Sequence, residues 1–248
     1  MKASLIAASA LALLVASPAL AVEPQEREEI ETIVREFLLR EPELLVEVLD
    51  ALEAQRTAQA GEMQREAIAA AGAELTASPE GTVLGNPQGD VTIVEFFDYN
   101  CGFCRRAQAD METLIENDPE LRVVLKEIPV LGPESEEASR VSLAIRDLEP
   151  TRYAEFQRRL LTSGSTADEA AALALAEEME LDRAAIAEAT TSPAVVSALQ
   201  ESARLAAALN ITGTPTYVVG DELVPGAVGA EELATRVANV RECGEASC

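Results

Sequence analysis

The 248-residue sequence contains no histidine and no tryptophan. Without histidine the chain cannot build an imidazole metal site, a Cys-His nucleophile pair or a Ser-His-Asp triad. Aromatic residues make up 3% of a chain that is 48% hydrophobic, so its core is mostly Ala, Leu, Val and Ile. Positive charge is also scarce, with 19 Lys and Arg against 44 Asp and Glu and a formal net charge of -25. Such a chain lacks the clustered Lys and Arg that grip a phosphate backbone, and no nucleic-acid partner is expected. It has no apolar run long enough to cross a bilayer.

What is present begins with a leader. Lys2, the apolar run 5–15 and the small-x-small triplet Ala19-Leu20-Ala21 read as a secretory signal over residues 1–21. The rival reading, an uncleaved anchor, meets an apolar run that is too short. Export, taken here as export to the periplasm, puts the remaining chain in an oxidising compartment.

Residues 22–75 form a helical arm. Ile30, Ile33, Val34, Phe37 and Leu38 recur at helical spacing. Pro42 interrupts, in the manner of a residue in the first turn of a second helix. Leu45, Val48, Leu49 and Leu52 make the second stripe. The stripe either packs back on the main domain or meets copies of itself as an oligomerisation stalk. Residues 76–132 and 211–242 form the main α/β domain. A β-branched and aromatic run over 91–97 predicts a buried strand, a helix follows over 104–116, and 121–130 predicts a second strand. That order is a βαβ unit with parallel strands. Residues 133–210 read as an inserted helical domain of four or five helices, broken at Pro150, Gly164, Asp182 and Pro193. Two short strands around Gly220-Asp221 and a closing helix complete the domain, leaving a cysteine-containing tail at 243–248.

Cys101 and Cys104 carry the chemistry. They bracket Gly102-Phe103 where the first strand ends and a helix begins. Free N–H groups and the dipole at a helix start stabilise a thiolate, and the two-residue spacer lets the second sulfur resolve a mixed disulfide formed by the first. Cys101 is the expected nucleophile, accessible at the turn, with Cys104 more buried one turn in. The competing readings are a zinc half-site completed by Cys243 and Cys248, or a structural disulfide. Cys243 and Cys248 are expected to bond to each other. Pro215, in Gly213-Thr214-Pro215-Thr216, is either a cis proline or an ordinary turn residue. Glu95 and Lys126 lie on the two predicted strands. They either pair beneath the cysteines, where the acid could shuttle a proton, or point to solvent.

Three segments in order, Val94–Cys104, Glu127–Ser135 and Thr212–Gly220, resemble the DsbA-like thioredoxin-fold family over roughly residues 76–240. The resemblance implies a thioredoxin fold with an inserted helical domain and an N-terminal helical arm, with no cofactor and no resident metal. It implies that Pro215 is cis and that Thr214 faces the sulfurs, where its backbone can pair with a client strand bound beside Gly102 and Phe103. It assigns Glu95 to the family's buried acid, with Lys126 as partner. The best-known oxidase members carry Pro-His between the cysteines, where this chain has Gly102-Phe103. The arm resembles the stalk of the ScsC-type subgroup, some of whose members form trimers that isomerise disulfides and some of which are tied to copper tolerance. The expected function is therefore an exported, homo-oligomeric thiol-disulfide oxidoreductase, a disulfide isomerase or reductase of unfolded or misfolded exported proteins, reset by a membrane or soluble redox partner. The alternatives are a DsbA-type dithiol oxidase and a Cu(I) or zinc carrier using the same thiols.

Overall fold

The computed structural model describes residues 23–248, and the predicted leader lies outside them. The chain divides between Thr57 and Ala58 into two units. In the first, α1 (Pro24–Arg40) carries its proline in the first turn, and α2 (Glu43–Thr76) starts just past Pro42. The stripes Ile33, Phe37, Leu45 and Leu49 are exposed.

The second unit begins earlier than residue 76. Ile68 and Leu75, from the end of α2, are buried against the domain core. The arm predicted for 22–75 therefore gives up its last turns to the globular unit, because Ile68 and Leu75 find apolar partners in Phe96, Val124 and Leu205.

The sheet of this unit has the order β1-β3-β2-β4-β5. β2 (Val91–Phe97) and β3 (Leu121–Glu127) run parallel, joined by α3 (Gly102–Asn117). β3 is shorter than the predicted 121–130. Pro129 has no N–H to donate to a ladder, and the N–H groups of Val130 and Leu131 turn to Asp98 instead. The edge strand β1 (Leu84–Gly85) pairs antiparallel with β3. β4 (Thr216–Val219) and β5 (Glu222–Pro225) form the hairpin, and Gly220 takes φ 57 in its turn. A side chain at Gly220 would meet Val240 at 2.7 Å.

Five helices lie between β3 and β4: α4 (Pro133–Leu148), α5 (Pro150–Leu161), α6 (Glu169–Glu178), α7 (Arg183–Ala189) and α8 (Pro193–Ala208). Asp168, Asp182 and Ser192 cap the last three through their side chains. α9 (Ala230–Cys243) closes the chain, and its Arg241 grips both Asp90 and Asp118 at 2.7 Å, tying it to the ends of the βαβ unit. Alternation along the strands divides the core in two. Ile93, Phe97, Val123 and Leu125 face α3, α4 and α9, whereas Val94, Phe96 and Val124 face α8 and the end of α2.

Candidate functional site

Cys101 is the N-cap of α3, with extended backbone at φ -76 and ψ 114. An N-cap residue faces the unpaired N–H groups of the first helical turn, and a thiolate there gains from them. Burial raises the pKa of Cys101. Hydrogen bonds from the Thr214 side chain, from the Cys104 N–H and thiol and from the Phe103 N–H outweigh that cost and hold it below its ordinary value of 9.0. Cys104 lies one turn in with no exposed surface. Burial, with the charges of Glu95 and Cys101 nearby, drives its thiol far above the ordinary range. The two sulfurs of one motif are thus poised oppositely, the first to ionise and the second to hold its proton. Both are free thiols.

Cys101 is less accessible than predicted, at 6% exposure. Its Sγ donates to the Thr214 carbonyl at 3.1 Å, so a segment 113 residues away in sequence lies across it. The Thr214–Pro215 peptide bond is cis. Beside it a groove of about 420 Å3 runs between Phe103, Thr214, Pro215 and Pro225. Phe103 is 58% exposed with the Arg106 guanidinium 4.2 Å over its ring, and Gly102 opens to solvent.

Glu95 and Lys126 do not pair. Glu95 is in register with Leu125, and Lys126 with Phe96. Adjacent residues of a strand point to opposite faces, so the carboxyl shares the face of Cys104 and the ammonium the other. Lys126 instead meets Glu201 at 2.7 Å and the Glu74 and Ala77 carbonyls at 3.3 and 3.1 Å, which clips α8 and the end of α2 to the sheet. Burial pushes Glu95 up to about 8.

The sequence reading missed Asp98 and Asn100, which fix the approach to Cys101. Buried Asp98 accepts from Asn100 N–H and Ser135 Oγ at 2.8 Å each through one oxygen. Its other oxygen takes the N–H groups of Val130 and Leu131 at 2.8 and 3.0 Å. Asn100 exchanges two hydrogen bonds with the backbone of Ala167, at 2.9 and 2.8 Å. The only signal was polar residues at a strand end ahead of the cysteines. A third buried acid, Glu127, receives Ser142 Oγ at 2.8 Å and Tyr153 OH at 3.0 Å, and burial pushes it up to about 7. Cys243 and Cys248 are bonded to each other at the far end of the chain from the motif.

A thiol with a lowered pKa at a helix start, a protonated thiol one turn in, a buried acid on the same face and the Thr214 carbonyl against the first sulfur are the parts of dithiol-disulfide exchange. The sequence matches the model of a DSBA-like thioredoxin domain over residues 92–238 and that of a copper resistance protein ScsC N-terminal domain over residues 26–59. No curated protein matches. Among solved structures, a thioredoxin-like oxidoreductase from Silicibacter pomeroyi DSS-3 is 40% identical, with 68% of this chain and 97% of that chain covered and a TM-score of 0.65. A linker-deletion variant of Proteus mirabilis ScsC is 25% identical, with 91% and 99% covered and a TM-score of 0.68. Salmonella enterica Typhimurium BcfH is 25% identical, with 86% and 95% covered and a TM-score of 0.71. The chain belongs to the DsbA-like thioredoxin domain family, as a thiol-disulfide oxidoreductase of the DsbA/ScsC type.

Proposed function

We propose that this protein is an exported, periplasmic disulfide isomerase and reductase that assembles through its N-terminal helices, with a trimer as the favoured form, and acts on misfolded exported proteins. The observation that carries the reading is the opposite poise of Cys101 and Cys104 beside the Thr214 edge. The Cys101 thiolate attacks a client disulfide. A Cys101–client disulfide forms, and the other client sulfur leaves as a thiolate and takes a proton. If a different client thiol, as its thiolate, attacks the client sulfur bound to Cys101, a new client disulfide forms, Cys101 leaves as a thiolate and the client has been isomerised with no net electron transfer. If it does not, Cys104 gives up its proton, which Glu95 can accept in its ionised form near its pKa of about 8, and the Cys104 thiolate attacks Cys101. The client leaves as a dithiol, reduced by two electrons, and the Cys101–Cys104 disulfide must be reset by a redox partner.

Isomerisation over plain oxidation is supported by two features. Gly102-Phe103 puts no cationic side chain between the thiols. The apolar stripes of α1 and α2 are exposed and suit a second copy of themselves, which would gather several thiolates around one client. The test is refolding of scrambled ribonuclease together with molar mass by light scattering. Refolding by an oligomer, lost in Cys101→Ser, is the expected result. A monomer that only oxidises reduced ribonuclease would replace this reading with that of a dithiol oxidase.

A second reading rests on the copper-resistance name of the domain matched over residues 26–59. Cys101 and Cys104 would then hold a soft ion such as Cu(I) as thiolates. Mass spectrometry after aerobic purification separates the two. A stoichiometric metal supports a carrier, and a metal-free disulfide supports the oxidoreductase.

A further inference from the structure

A second apolar groove, of about 480 Å3, runs along α8 on the face of the sheet away from Glu95. Val196, Leu199, Ala203 and Ala207 line it from α8, one stripe at helical spacing, and Val130 closes it from the loop after β3. Leu199 packs on the core at one end, whereas Ala203 and Ala207 are exposed and Val130 is 62% exposed, so the rest of the stripe lies open. Glu136 and Arg140 stand at its rim, paired with each other at 2.6 Å. An apolar floor with a self-satisfied polar rim suits an uncharged, apolar side chain.

Ile211 identifies the occupant. It lines this groove and also the one beside Pro215, so the two adjoin at this residue. A client chain that pairs with the backbone of Thr214 advances about 3.3 Å per residue and comes level with Ile211 after about three residues. We propose that the α8 groove is a second docking site for the client polypeptide, taking an apolar side chain about three residues from the cysteine that bonds to Cys101. The proposal rests on the oxidoreductase reading and adds a selection rule to it: clients engage fastest where a disulfide lies close to an apolar residue that folding should have buried. The Pro215 groove holds the residues next to the cysteine, and the α8 groove reads the sequence beyond them.

The test uses the full-length reduced protein and peptides whose single cysteine is capped by glutathione. The peptides carry Leu or Ser at the third position on either side of the cysteine. Cys101 forms the mixed disulfide with the peptide and releases glutathione as its thiol, and Cys104 then frees the peptide as a thiol. On one of the two sides the Leu peptide is expected to react about tenfold faster than its Ser counterpart, or about 1.4 kcal/mol. Ala203→Glu and, separately, Ala207→Glu place a carboxylate in the groove. Each is expected to erase the preference while glutathione disulfide is reduced at the wild-type rate. Equal rates for Leu and Ser peptides in the wild type, or a preference that survives both variants, would overturn the proposal. So would a fall in molar mass of Ala203→Glu with the preference kept, which would give the groove to a second copy of the chain. Should the wild type fail to reduce glutathione disulfide, it is the redox reading that falls. The groove is then judged by fluorescence anisotropy with peptides bearing Ser for Cys, where about tenfold tighter binding of the Leu form sustains it and equal binding overturns it.

Discussion

Glu95 and Lys126 sit on neighbouring parallel strands one residue out of register, and that single step places them on opposite faces of the sheet. The acid is left alone beneath the cysteines, and the cation serves a different interface. A pair would have held the carboxyl ionised. Alone, it stays protonated up to about pH 8 and can exchange a proton with Cys104 in the neutral range.

Stability should therefore fall as pH rises. Below the ordinary carboxylate pKa of 4.5, Glu95 is protonated both folded and unfolded and costs nothing. Between 4.5 and about 8 the unfolded chain gives up the proton that the folded chain keeps. Each pH unit in that window should remove about 1.4 kcal/mol. Glu127 adds to the same fall up to about 7. Urea unfolding at a series of pH values should show the slope, and Glu95→Gln should flatten it and be the more stable protein at pH 8. A variant less stable than wild type at pH 8 would mean that the carboxylate has a partner after all.

Removing Lys126 should act on stability and leave the thiols alone. Lys126→Met strips a buried cation from Glu201 and two carbonyls, and a loss of about 3 kcal/mol is expected by urea unfolding. Alkylation of Cys101 should follow the same pH profile as in the wild type. A displaced profile would show that Lys126 reaches the sulfurs across the sheet.

The two thiols should separate in reactivity. Iodoacetamide on the reduced protein is expected to modify Cys101 with a midpoint below pH 9 and to spare Cys104 in the folded state. Cys104→Ala should accumulate Cys101–client disulfides on a non-reducing gel, and Cys101→Ser none. Trapped species in Cys101→Ser would reverse the roles.

Oligomerisation should depend on the arm. Leu45 is 48% and Leu49 62% exposed, and both project from the first unit of the chain. The double substitution of both by Glu is expected to reduce the molar mass in solution to that of one chain, while insulin reduction stays within about twofold and ribonuclease isomerisation falls about tenfold or more through lost avidity. Unchanged molar mass would rule these stripes out as the contact.

Much of this was legible from local chemistry. The β-branched and aromatic run gave β2 its bounds of Val91 to Phe97, and Pro150, Gly164, Asp182 and Pro193 punctuate the helices because each residue type stops or starts a helix by itself. What could not be read depends on register or on distant partners. Lys126 needs Glu201, 75 residues on, and the burial of Cys101 needs Thr214, 113 residues on. β1 is two residues long, too short for any alternation to register. The hold of Asp98 on Val130 and Leu131 shortens β3, and a run of apolar residues does not reveal that its amides point elsewhere.

The exchange of hydrogen bonds between Asn100 and Ala167 ties the residue before the nucleophile to the connection between α5 and α6. Together with the grip of Asp98 on Ser135, it makes the inserted helices an anvil for the sulfur rather than a lid over it. The other wall, the segment 211–214, has no such bond to α4, α5 or α6 among the described residues. One wall of the cleft is bonded into the approach to the nucleophile, and the other meets the sulfur through the Thr214 carbonyl.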